Sequence, residues 1–312
     1  MSRSATALVA LVLTGAAPVD LPLDSLLKSP EAARTFDYWR LREGRDPQAI
    51  KALGSTITAD DDRVCRSDAE REIKLGLQTA AEAPSRSQWQ ADRTAGAEAV
   101  RLYDAARDKA LAGQPSGAKG LDENLPVYLA QSRAAKTSLG RELLRRMAAE
   151  QAPMVSWSAP WTEGLADGAQ LRLFAVLEHE QCVNAHANAE WLKGEIAKQG
   201  WPTISRDGAE ADKAAWILVQ HADHDPQFQK DVLERLTALR TKGETNPSNY
   251  AYLHDRVAAN AGREQRYGTQ GGCKAGQWTV KPLEDPANVD RRRADVGLKP
   301  LADYVALFRC RA

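Results

Sequence analysis

A repeated two-residue signal for helix starts constrains the fold of this chain more than any other feature. In each case a residue whose side chain can cap free backbone N–H groups is followed by proline. Proline suits the first helical position because its φ is fixed there and its missing N–H loses no hydrogen bond. The pairs are Ser29-Pro30, Asp46-Pro47, Asp225-Pro226, Asn246-Pro247 and Asp285-Pro286. These signals predict a mainly α-helical protein.

The spacing of apolar residues between the caps sets the extent of the predicted helices. A capping box at Ser67 and Glu70 adds a helix that begins at residue 68. The predicted helices cover residues 30–44, 47–53, 68–82, 86–112, 139–151, 168–199, 209–223, 226–242, 247–261, 286–296 and 300–308. One glycine-rich stretch departs from the helical pattern and predicts a small β-hairpin near 266–282, with Tyr267 and Thr269 on one arm and Trp278 to Val280 on the other.

Turn-forming residues between 113 and 138 indicate a domain boundary. We therefore predict an N-terminal helical region at 18–130 and an irregular helical domain at 139–312. The charges balance, with 42 basic and 42 acidic side chains, and this balance argues against a nucleic-acid-binding protein.

The first residues resemble an export signal. Arg3 precedes an apolar run from Ala5 to Leu13, and small residues follow it up to Ala17. This pattern predicts a signal peptide at 1–17 and an exported protein, periplasmic or secreted; a buried N-terminal helix is the alternative. No later segment has the length of a transmembrane helix, so none is expected in the mature chain.

Four cysteines are then expected to form disulfides, because export leads to an oxidising compartment. Sequence alone leaves three pairings open. We favour Cys273 with Cys310, which would tie the last helix to a nearby loop, and Cys65 with Cys182. No Cys-x-x-Cys pair is present, which disfavours a zinc ribbon or a thioredoxin-type redox site.

The segment from Gln220 to Pro226 is rich in groups that can carry chemistry. His221 and His224 would share a face of a continuous helix, a spacing compatible with one metal ion. The structural alternative is a core histidine at 221, with His224 near a helix end and Asp225 as a cap. A third metal ligand is not identified, so the sequence predicts no metal.

The segment from Tyr250 to Gln270 is the second polar stretch. Arg256, Arg266, Tyr267 and Gln270 could present a guanidinium, a phenol and an amide to a polar ligand. The alternative is that Tyr267 packs in the core and Arg266 pairs with a carboxylate. The chain lacks a nucleophile elbow, a phosphate-binding loop and a His-Glu-x-x-His motif, and it indicates no cofactor.

An ordered series of short motifs runs through the C-terminal half. It comprises Gly200-Trp201-Pro202, Gln220-His221-Ala222-Asp223, Asp255-Arg256-Val257, Tyr267-Gly268-Thr269-Gln270, Glu284-Asp285-Pro286 and Gly297-Leu298. Over about 139–305 the chain resembles the uncharacterised bacterial family catalogued as domain of unknown function 6624. The resemblance implies that both polar segments belong to one surface or core, although it supplies no reaction.

Three hypotheses for the function follow, of which a secreted antibacterial effector rests only on the export signal. The first is an envelope module that binds a small molecule or an envelope component through a surface formed by residues 221–225 and 252–270, with Arg256, Arg266, Tyr267 and Gln270 as ligand-binding residues. The alternative is a hydrolase with His221 as general base, oriented by Asp225 or Asp255 and with or without a metal ion. The sequence leaves open whether the protein is an enzyme.

Overall fold

The structure is a computed structural model that describes residues 20–42, 45–57, 64–157 and 160–310. The predicted signal peptide at 1–17 lies outside these residues. Within them, helices dominate and a single two-stranded antiparallel hairpin is present, which confirms the mainly α fold.

The helices of the described residues vary from one turn to nine. The α-helices are α1 (Leu23–Leu27), α2 (Pro30–Thr35), α3 (Pro47–Ile57), α4 (Asp68–Glu82), α5 (Arg86–Leu111), α6 (Lys119–Ala134), α7 (Ser138–Met154), α8 (Asp167–Gln199), α9 (Ile204–Asp207), α10 (Ala209–Gln220), α11 (Pro226–Arg240), α12 (Pro247–Asn260), α13 (Val289–Asp295) and α14 (Leu301–Val305). Short 3₁₀ helices occupy Tyr38–Arg42, Pro160–Thr162 and Pro286–Asn288. The strands are β1 (Gly271–Lys274) and β2 (Gln277–Val280).

Side-chain caps begin most of the predicted helices. Ser29 accepts a hydrogen bond from the Ala32 amide at 3.1 Å, and Asp225 accepts one from the Phe228 amide at 2.9 Å. The Ser67 capping box is complete, and α4 spans the predicted residues. Among the five residue–proline pairs, Asp285-Pro286 is the exception, because the Asp285 side chain makes no cap bond and its Oδ2 accepts hydrogen bonds from Asn288 and Arg292 instead.

The hairpin is shorter than predicted. Its register pairs Gly271 with Val280 and Lys274 with Gln277. Tyr267 and Thr269 were expected on its first arm, but both precede β1. Their backbone amides are hydrogen-bonded to the Asp255 carboxylate, so they are not available to a strand partner.

Helix α6 lies inside the stretch that the sequence indicated as a boundary. The sequence did not predict this helix, because it contains two residues that are typical of turns, Gly120 and Pro126. Gly120 is needed for close packing rather than for a turn: a Cβ atom there would lie 2.2 Å from the Val155 carbonyl oxygen. The predicted split at 130–139 stays a prediction.

The chain divides into two compact units. Of the residues that the structure describes, the first unit comprises those within 1–60, 66–99 and 164–175, and the second comprises those within 61–65, 100–163 and 176–312. The core of the first unit includes Tyr38, Ile73, Leu77 and Trp89. Its buried Glu72 carboxylate pairs with Arg172 at 3.0 Å, so the charge is compensated inside the unit.

The core of the second unit lies among α7, α8, α10, α11 and α12. Leu143, Met147, Leu192, Leu218 and Leu236 are among its buried side chains. The connection between α10 and α11 lies at the edge of this core, because Ala222 is buried within it while His221, Asp223, His224 and Asp225 are partly exposed.

Both favoured disulfides are present. The Cα atoms of Cys65 and Cys182 are 5.7 Å apart, and those of Cys273 and Cys310 are 5.6 Å apart. Among the described helices, none combines the length and apolar character needed to span a membrane.

Candidate functional site

The connection between α10 and α11 holds the first polar segment. Helix α10 ends at Gln220, so His221 occupies its C-cap and His224 lies beyond it. The two histidines therefore do not share a continuous helix, and each has a different neighbour. His221 contacts Glu150, whereas His224 stacks on His186.

His221 is held by a buried carboxylate. Its Nδ1 lies 2.5 Å from Glu150 Oε1, and Glu150 is only 2% exposed. The second carboxylate oxygen accepts a hydrogen bond from the Asn188 amide at 2.6 Å, and Asn188 in turn accepts one from Arg146 at 3.0 Å. This chain of bonds fixes the carboxylate and thereby the imidazole.

The arrangement leaves the other ring nitrogen of His221 available. An ionised carboxylate only accepts hydrogen bonds, so a neutral His221 must carry its hydrogen on Nδ1. Nε2 has no hydrogen-bond partner in the part of the chain that the structure describes, and the side chain is 25% exposed. An oriented imidazole with a free Nε2 lone pair can take a proton or bind a ligand.

Asp223 joins the two polar segments. Its carboxylate accepts hydrogen bonds from Arg256 Nε at 2.8 Å, from a second Arg256 nitrogen, and from Asn260 at 2.8 Å. Gln229 adds a further bond at 3.1 Å. The segments that the sequence singled out thus meet through a forked ion pair.

The ionisation of Asp223 reflects these partners. Burial opposes the charge, but the hydrogen bonds and the charge of Arg256, with Gln229 and Asn260, outweigh it and lower the pKa of the Asp223 carboxyl. A carboxylate with a lowered pKa in the folded state stabilises the fold at any pH above its pKa in the unfolded chain. That stabilisation is lost as the pH falls through the pKa of the folded state. Arg256, a candidate ligand-binding residue, thus has its guanidinium hydrogen-bonded to Asp223 within the fold.

Asp225 also has partners on two helices. One oxygen caps α11, and the other lies 2.9 Å from Lys193 Nζ on α8. Burial opposes its charge, yet the hydrogen bond from Lys193 and the bond to the Phe228 amide hold the pKa of Asp225 below its usual range. The structure shows no contact between this carboxylate and His221.

Asp255 organises the second polar segment from inside the core. The residue has no exposed surface. Its two oxygens accept hydrogen bonds from the backbone amides of Arg266, Tyr267 and Thr269, at 2.8, 3.1 and 2.9 Å, and from the Thr269 hydroxyl at 3.1 Å. The side chain thus shapes the loop that leads to β1, and solvent does not reach it.

The three candidate residues of this loop have separate surroundings. Tyr267 is buried and its carbonyl accepts a hydrogen bond from Arg293 at 2.6 Å. Arg266 pairs with Glu284 at 3.3 Å on the surface. The backbone amide of Gln270 donates a hydrogen bond to Gln265 Oε1 at 2.8 Å, and the side-chain amide of Gln270 donates one to the Thr269 hydroxyl at 3.1 Å. Arg266 is the one with the most exposed side chain.

All of these residues fall within one family model. The family of unknown function DUF6624 matches residues 142–311, which is just over half of the chain. The chain belongs to the DUF6624 family. No curated protein and no solved structure is significantly similar to it.

Two residues of the DUF6624 region were missed by the sequence interpretation. Glu150 and Asn188 complete the His221 arrangement from α7 and α8. A signal for Glu150 was present, because it follows Leu143 and Met147 at helical spacing and so occupies the buried face of α7. A lone carboxylate on an apolar face calls for a partner, but nothing in the sequence pointed from Glu150 to His221.

Proposed function

We propose that this DUF6624 protein is an exported hydrolase in which His221 acts as general base. The observation that supports it is the His221–Glu150 pair, with its buried carboxylate and an Nε2 that has no hydrogen-bond partner among the described residues. In the hypothesis from sequence, Asp225 or Asp255 oriented the imidazole. Both are bound elsewhere in the fold, and Glu150 takes their place in the proposal.

The chemistry assigned to each side chain is simple. Nε2 of His221 removes a proton from a water molecule as that water attacks the substrate. Glu150 stabilises the imidazolium that forms and holds the ring, and Asn188 with Arg146 holds Glu150. General-base catalysis of this kind contributes about 10²- to 10⁴-fold to a rate.

The experiment is a substrate panel with matched variants. Chromogenic esters, amides, phosphate esters and glycosides would be assayed with the wild type and with His221→Gln, Glu150→Gln and His179→Gln. We expect one substrate class to be hydrolysed, with a loss of about 100-fold or more in His221→Gln. Glu150→Gln should lose less, and His179→Gln should keep the wild-type rate. Equal rates for His221→Gln and wild type would refute the proposal, as would a panel without turnover.

A second candidate is a module that binds a small molecule or an envelope component without turnover. It is favoured by one observation: Asp223, Asp225 and Asp255 are all bound within the fold, so none of these three carboxylates is free to act with His221. Solubilised envelope fragments would then perturb the His221 ring signals in NMR spectra, while every substrate of the panel stays intact. Hydrolysis that depends on His221 would exclude this candidate.

The export part of the proposal is supported by the two disulfides, since such bonds persist in oxidising compartments. A periplasmic or secreted location with removal of residues 1–17 is the finer form of this proposal. Fractionation and the mass of the mature chain test it. An intact N-terminus in a cytoplasmic fraction would contradict it.

A further inference from the structure

A cluster of metal-ligand side chains includes both cysteines of the Cys65–Cys182 disulfide. Cys182 and His186 are four residues apart on α8, so their side chains lie on one face of that helix. Both sulfur atoms and a ring nitrogen of His186 lie within 4.8 Å of one another. Among the described residues, this is the one group of three or more such side chains at that spacing.

A second histidine lies against this group. The ring of His224 stacks on His186, with 3.6 Å between the ring centroids and 14° between the planes. Nε2 of each ring is buried and has no hydrogen-bond partner within the described part of the chain. A buried polar atom without a hydrogen-bond partner destabilises the fold, so two adjacent ones need an explanation.

Two sulfur and two imidazole ligands are the donor set of a tetrahedral structural zinc site. In the disulfide the sulfurs are bonded to each other, so they are not available as thiolates.

We propose that reduction of the Cys65–Cys182 disulfide creates a zinc site, in which Cys65, Cys182, His186 and His224 bind one Zn²⁺. The reductant is a dithiol. It passes two electrons and two protons to the two sulfurs and becomes a disulfide itself. Zn²⁺ then displaces the two thiol protons to solvent, and a side-chain rotation of His224 brings its nitrogen to the metal. The site does not involve His221, so it is independent of the proposed hydrolase activity.

The test protein is the full chain with Cys273→Ser and Cys310→Ser, which leaves Cys65 and Cys182 as its only cysteines. It would be compared oxidised and after reduction with a dithiol that is then removed without air. Zn²⁺ would be titrated against a chromophoric chelator, and Co²⁺ would report thiolate ligation by its charge-transfer absorption. We expect one equivalent of Zn²⁺ in the reduced form and none in the oxidised form.

Variants on the same background assign the ligands. His186→Gln and His224→Gln should each weaken Zn²⁺ binding by about tenfold or more, because even outer-shell partners change metal affinity that much. His254→Gln should bind as the background does. If reduction alone lowers the helical circular dichroism, Zn²⁺ should restore it, since binding to a structural site is coupled to folding. The proposal is overturned if the reduced protein binds no Zn²⁺, if His186→Gln binds it equally well, or if the oxidised form does.

Discussion

Replacing Asp255 with alanine is expected to destabilise the second unit by about 4 kcal/mol or more. The substitution leaves the amides of Arg266, Tyr267 and Thr269 without their shared acceptor in a fully buried position. Each unsatisfied buried donor costs about 1–3 kcal/mol, and the missing side chain adds a small cavity. Urea unfolding, followed by circular dichroism, measures the loss.

Asp290→Ala is the matched control for this experiment. Its carboxylate also accepts a backbone hydrogen bond, from Leu301 at 2.7 Å, but Asp290 lies on the surface. We expect a loss of about 1 kcal/mol or less there, because water replaces the missing acceptor. Similar losses for the two variants would show that Asp255 does not organise the 266–269 loop as described. Faster amide exchange at these residues in a folded Asp255→Asn variant would support the account independently.

Removing the Cys65–Cys182 disulfide should have an effect of similar size. The two cysteines are 117 residues apart, so the bond restricts a long loop in the unfolded chain. The chain-entropy model gives a stabilisation of about 5 kcal/mol for such a loop. The double variant Cys65→Ser and Cys182→Ser should therefore melt well below the wild type in a calorimetric scan.

The other disulfide provides the comparison. Cys273 and Cys310 are separated by 37 residues, and the same model gives about 4 kcal/mol for that loop. Its bond joins the hairpin to the end of the described chain, so its removal should loosen that region first. If the Cys65/Cys182 double variant melted at the same temperature as the wild type, the unfolded chain would gain little conformational freedom when the Cys65–Cys182 bond is absent.

The fold was predictable where local chemistry decides it. Ser67 with Glu70 and Asp225 before a proline each fix a helix start from neighbouring residues alone, and the structure has both. Prediction failed where a distant group overrides the local pattern. Tyr267 and Thr269 favour a strand, but the Asp255 carboxylate binds their amides from α12. Gly120 suggests a turn, but it permits close packing within α6.

Only part of the candidate site was predictable from the sequence, because distant groups complete it. The meeting of the two polar segments was implied by the family resemblance, and the Asp223–Arg256 pair shows how they meet. The partner of His221 lies 71 residues away on α7, and no spacing in the sequence connects the two. The sequence also did not predict the stacking of His186 on His224, because this contact joins α8 to the connection that follows α10.

The central claim is that Glu150 holds Nδ1 of His221 and leaves Nε2 free. Long-range ¹H–¹⁵N NMR spectra of the imidazole nitrogens test it most directly, with His221→Gln to assign the signals. The neutral ring should be the Nδ1–H tautomer in the wild type, and Glu150→Ala should shift the ring toward the Nε2–H tautomer. A wild-type ring with its hydrogen on Nε2, unchanged by Glu150→Ala, would contradict the account.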